Sequence, residues 1–152
     1  MSTSTVPVGS RAAAGIDPRG PRVAATLTSV MLAAVLVTPT ALATTLLAVQ
    51  SLVFAIGTAR GIQHTPYAWL FRTLIRPRLG PPADLEDPRP PRFAQGVGLA
   101  FAVVGLIGFA TGVTALALVA TGLALVAALL NAAFGFCLGC EIYLLLTRAT
   151  AR

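Results

Sequence analysis

The chain has 152 residues, enough for one domain, of which 56% are apolar and only 11% charged, against roughly 25% charged in soluble domains. In a soluble protein the net charge of +6 would suggest nucleic acid, but all charges fall within 11–22, 60–92 and 141–152, leaving two long stretches without any. This argues against a water-soluble enzyme or a nucleic-acid-binding module and makes the lipid bilayer the solvent.

Residues 1–21 read as a flexible N-terminal segment. The first uncharged stretch, Val23 to Ala59, is 37 residues, about 55 Å as one helix against a bilayer core of about 30 Å. It must reverse, and Thr38-Pro39-Thr40 is the natural turn because proline lacks the amide hydrogen of a helix interior. The spacing predicts helices over 22–38 and 41–58, a first transmembrane hairpin within 22–58. Ala41-Leu42-Ala43 after an apolar run resembles a signal-peptidase site, but the run stays apolar beyond it, which argues against cleavage.

Residues 59–92 hold seven of the eleven prolines and read as a loop with one short helix, capped by Thr65 and started by Pro66. Tyr67, Leu70, Phe71 and Leu74 recur at helical spacing while Arg72 and Arg76 point elsewhere, the pattern of a helix lying in the membrane interface, with Trp69 at headgroup level. Beyond Pro77 the chain reads as an extended linker.

The second uncharged stretch, Phe93 to Cys140, is 48 residues and must reverse too, at Thr111-Gly112-Val113-Thr114. A second transmembrane hairpin is expected over 93–147 and a short tail over 148–152. Its last segment, Ala115 to Leu146, would be about 48 Å long as one helix, so it must tilt, kink or break near Gly135 and Gly139. Both termini and the loop carry arginine while the two turns carry no charge, which places termini and loop in the cytoplasm.

The sequence repeats itself: Asp17-Pro18-Arg19-Gly20-Pro21-Arg22 recurs 70 residues later as Asp87-Pro88-Arg89-Pro90-Pro91-Arg92. Each copy precedes a hairpin, so the duplication is parallel rather than inverted. Arg19, Arg22, Arg89 and Arg92 are candidate binding residues at the membrane surface. They are equally what starts a membrane helix, proline in the first turn and arginine at the headgroups. Measured from Arg22 to Arg60 and from Arg92 to Arg148, the second copy is about eighteen residues longer.

The only cysteines form Cys137-Leu138-Gly139-Cys140, a spacing that puts both sulfurs on one helix face or closes a small disulfide ring at a helix start. Such a pair can cycle between dithiol and disulfide, or can be ordinary apolar packing. Just beneath a cytoplasmic surface a permanent disulfide is disfavoured and a transient one fits better. Glu141 is the only acid in an apolar segment and a candidate proton carrier, or else a group paired with arginine or facing water. Cys137, Cys140 and Glu141 are therefore the candidate catalytic residues. Asn131 and Tyr143 suit interhelical hydrogen bonds, and Gly108 with Gly112, and Gly135 with Gly139, suit close helix packing. His64 is the only histidine, too little for a metal site in one chain. No nucleotide loop, serine nucleophile or carboxylate pair is present, so no cofactor is expected.

The run Phe134-Gly135-Phe136-Cys137-Leu138-Gly139-Cys140-Glu141-Ile142-Tyr143, with Arg92-Phe93-Ala94-Gln95 and Ile16-Asp17-Pro18-Arg19, resembles the bacterial membrane family called domain of unknown function 4395, over about residues 15 to 147. The resemblance implies a small four-helix protein of the bacterial inner membrane and brings no established activity. It also leads one to expect a thioredoxin-like or sulfurtransferase partner.

The fold expected is an all-α integral membrane protein: four transmembrane helices as two hairpins, plus a short interfacial helix in the middle loop. The function expected first is thiol-disulfide or sulfur transfer through the C-x-x-C pair. A carrier for a small anion or sulfur compound, working as a homo-oligomer, and a non-enzymatic membrane scaffold are the alternatives.

Overall fold

The computed structural model describes residues 15–151; residues 1–14 of the expected N-terminal segment, and Arg152, lie outside them. Among the described residues six α-helices run in order: α1 (Arg19–Val37), α2 (Thr40–Arg60), α3 (Pro66–Leu70), α4 (Arg89–Ala110), α5 (Thr114–Phe134) and α6 (Leu138–Thr150). No strand occurs among the described residues. Four helices, α1, α2, α4 and α5, are long and apolar enough to cross a bilayer, with mean hydropathies of 1.6, 1.7, 2.0 and 2.2. The protein is thus a helical membrane protein.

Its turns fall where backbone chemistry allows no helix. α1 ends at Val37 because Pro39 cannot donate an amide, and α2 restarts at Thr40. α4 stops at Ala110, and Gly112 turns the chain at φ +74°. Each long helix packs against two others in the ring α1, α2, α4, α5, so α1 lies beside α2 and α5, and α4 beside the same two. Leu32, Val35, Leu47, Phe54 and Ala102 fill the centre. On α4 the approach to α5 is close: a methyl group added to Gly108 would lie 2.6 Å from the Ala117 nitrogen. Gly108 therefore serves packing, whereas Gly112, four residues on, serves the turn.

The last segment of the second hairpin breaks near Gly135, as its length required, and α5 ends at Phe134. Gly135 adopts the left-handed conformation, φ +68°, and caps α5 by donating its N–H to Asn131 O at 2.9 Å. Glycine takes this conformation without the steric cost a Cβ brings. Beyond the cap stands a separate thirteen-residue helix, α6, about 20 Å long and too short to span a bilayer. It packs across α4 rather than continuing α5. Gly139 meets Ala94, where an added methyl would come within 2.6 Å, and Tyr143 packs on Phe93 with ring centroids 5.7 Å apart.

This break resolves the unequal repeat lengths. The counterpart of Arg60, where α2 ends, is Phe134 and not Arg148, so the stretches from Arg22 and Arg92 differ by only a few residues. Each repeat then holds two long helices, a glycine cap of positive φ (Gly61 at +96°, Gly135 at +68°) and a short third helix. The third helix packs on the first of its own repeat in both cases, α3 on α1 and α6 on α4. The two copies also exchange contacts. Arg22 donates from Nε to Ala132 O at 3.0 Å and from Nη2 to Ala133 O at 2.8 Å, closing the end of α5. Arg92 does the same to Thr58 O at 2.7 Å and Ala59 O at 2.8 Å, closing the end of α2. These relations describe a pseudo-two-fold molecule.

Tyr67 of α3 donates its hydroxyl to Gln50 Oε1 at 2.7 Å and Trp69 is exposed; in the turn that follows, Phe71 is buried and Leu74 exposed. Beyond α3 the chain winds through a π turn and a 3-10 turn to Arg78. There Pro77 supplies no amide for a regular helix.

Candidate functional site

Cys137 stands at the N-cap of α6 and Cys140 in its first turn. The two sulfurs lie within bonding distance, with Cα atoms 5.2 Å apart, inside the usual disulfide span of about 4.4–6.8 Å. The Cys140 backbone N–H donates to Cys137 Sγ at 3.3 Å, so the first sulfur fills the role that a serine or threonine oxygen takes at other helix starts. The first repeat has that version: Thr65 Oγ1 accepts from the Ala68 N–H at 3.2 Å at the start of α3. Both cysteines are half-buried.

The pair stands past the end of α5 at the arginine-bearing end of the bundle, on the loop and first turn that Gly135 redirects. Glu141 is exposed in the first turn of α6, a position where the free N–H groups of a helix start favour negative charge.

The four candidate arginines are all engaged within the chain. Arg19 pairs with Asp17 at 2.8 Å and donates to Gly80 O at 2.9 Å. Arg89 pairs with Asp87 at 2.7 Å. The Arg19 hydrogen bonds hold the Asp17 carboxyl below the usual carboxylate range, and those of Arg89 do the same for Asp87. Arg22 and Arg92 close the ends of α5 and α2. The two cysteines come together in space, with Glu141 next to Cys140 in the same helical turn; Arg22 and Arg92 form two equivalent clamps, and Arg19 and Arg89 two equivalent ion pairs.

The expected hydrogen bonds of Asn131 and Tyr143 side chains are absent among the described residues; Tyr143 packs through its ring. Gln50, which belongs to no sequence motif, is fully buried in α2. It accepts from Tyr67 and donates through Nε2 to Thr28 Oγ1 at 3.5 Å. A lone amide in an uncharged 37-residue run was the available signal. Among the described residues no cluster of three or more His, Cys, Asp or Glu could hold a metal ion.

The family model described as Domain of unknown function (DUF4395) matches residues 16–148, and the chain belongs to that family. No curated protein and no solved structure matches it.

Proposed function

We propose that this DUF4395 protein is a thiol-disulfide exchanger of the bacterial inner membrane, with its arginine-bearing end in the cytoplasm and a thioredoxin-like or sulfurtransferase protein as partner. The observation that supports this reading is the seat of the cysteines. They lie half-buried at a helix start, outside the spanning segments, with a backbone N–H directed at Cys137 Sγ. The free N–H groups of a helix start stabilise a thiolate, which makes Cys137 the sulfur that attacks and is attacked.

The exchange balances as a two-electron step. A thiolate of a reduced partner attacks Cys137 Sγ, the Cys137–Cys140 bond breaks, and Cys140 leaves as a thiolate that takes up a proton. The partner's second thiolate then attacks its own sulfur in the mixed disulfide and releases Cys137. The pair ends as a dithiol and the partner as a disulfide, and the reverse sequence oxidises the pair. Glu141, exposed in the same turn, carries the proton to or from Cys140.

The test is alkylation of the cysteines in intact cells before and after an oxidant pulse, with Cys140→Ser to trap the partner. The pair should change state, and Cys140→Ser should accumulate a reductant-sensitive adduct through Cys137 that Cys137→Ser lacks. Thiols that never change state, together with a double Cys→Ser variant of normal phenotype, would sink the proposal.

A further inference from the structure

A cavity of about 260 Å³ opens at the arginine-bearing end of the bundle, beside α1 and α3. Its walls are mostly apolar, with Ile16, Ala24, Ile62, Phe71 and Leu85 prominent. Reciprocal backbone bonds between Ile16 and Glu86, both 2.9 Å, and the Arg19 bond to Gly80 O hold the outer wall in place.

The charge at this cavity is positive. Arg72 and Arg76 line it and both are exposed. Arg72 gives one N–H to the Gln63 carbonyl, and the Arg76 side chain makes no hydrogen bond among the described residues. The wall's acid, Asp17, is already paired with Arg19. Gln63 also lines the cavity, and its side-chain oxygen is turned away over Gly61. The equivalent place in the second repeat is packed more closely. There Gly139 closes onto Ala94, the residue 70 positions after the wall residue Ala24.

A ligand that satisfies these groups has an anionic centre for two guanidinium groups and an apolar attachment. We infer that this cavity binds the headgroup of an anionic phospholipid whose phosphodiester lies on Arg72 and Arg76. The location supports a lipid over a free anion: the cavity lies where the spanning helices end and headgroups begin. Basic pockets between membrane helices take anionic headgroups by this chemistry.

The test is lipid titration of the purified full chain, read by native mass spectrometry, with phosphatidylglycerol, phosphatidylcholine and inorganic phosphate as probes. Phosphatidylglycerol should bind at least about tenfold more tightly than phosphatidylcholine, and Arg76→Gln should weaken it about fivefold. Ala68→Leu, which narrows the cavity while keeping both arginines, should weaken it as well. Equal affinity for the two lipids overturns the inference, as does unchanged phosphatidylglycerol binding in both folded variants. Full displacement of the lipid by an equal concentration of inorganic phosphate overturns it too, since the anion alone would then suffice.

Discussion

Ile16 and Glu86 stand 70 residues apart at the same position of the two repeats, and each donates its backbone N–H to the other's carbonyl at 2.9 Å. A reciprocal bond between equivalent residues is the mark of a two-fold relation, as at the centre of an isologous dimer interface. The arginine clamps obey the same relation, since Arg22 of the first copy closes the last helix of the second and Arg92 returns the contact. The molecule is therefore built as a dimer is, within one chain.

Removing either clamp leaves two carbonyls at a helix end without their charged donor. Arg22→Ala and Arg92→Ala should each cost about 1–2 kcal/mol. The double variant should cost their sum to within about 0.5 kcal/mol, because the two share no partner. Lysine should not restore the loss, since it lacks the fixed fork that reaches two carbonyls. Denaturation in mixed micelles measures all of these.

Close packing at two glycines gives a second expectation. Gly139→Ala pushes a methyl into Ala94 of α4, and Gly108→Ala pushes one into the α5 backbone. Each should cost about 1–3 kcal/mol. Gly122, which has nothing within 4 Å of an added methyl, is the control and should tolerate alanine. A Gly122→Ala variant as unstable as Gly139→Ala would show that helix approach is not the cause.

The left-handed cap at Gly135 sets where α6 begins. Alanine there should cost about 1–2 kcal/mol for the unfavourable φ, and asparagine less, because its side chain tolerates that conformation. Thermal unfolding with the cysteines reduced isolates this backbone effect from the disulfide.

Acid should loosen the Asp17 turn. Because hydrogen bonds from Arg19 lower the folded pKa of Asp17, its stabilisation is complete above the ordinary carboxylate value near about 3.9. It is lost as pH falls through the lower folded value. Asp87 shifts in the same direction, but its side chain is 41% exposed against 9% for Asp17, so solvent screens its pairing more. The protection of the Ile16 and Glu86 amides, corrected for the pH dependence of intrinsic exchange, should fall on descending pH, and Asp17→Asn should flatten that fall more than Asp87→Asn does.

Much of this was legible in one dimension. The four spans, the turns at Pro39 and Gly112 and the repeated Asp-Pro-Arg motif come from run lengths, proline chemistry and direct comparison of residues. The end of α5 was less so. Gly135 and Gly139 have the spacing of a packing motif, and spacing alone does not tell a left-handed cap from a close contact. The length of the apolar run through Leu146 called for a tilt, kink or break near these glycines but did not say which of the three, or at which glycine. Hydropathy counts a leucine the same whether it faces lipid or a neighbouring helix. Gln50 and the cavity beside α3 went unseen because each depends on what stands opposite.

By itself the sequence determined that this is a membrane protein of four apolar spans in two copies, with its charge gathered at one end. Those properties depend only on how many consecutive residues avoid charge and where arginine returns. The tertiary structure alone decided that the copies clasp each other through Arg22 and Arg92. It also decided that α6 folds over α4 and carries Cys137 and Cys140 past the end of α5. The reason is physical: which carbonyls an arginine reaches, and which glycine meets a neighbour, depends on the helices that pack beside it, and adjacency of that kind is not written in residue order.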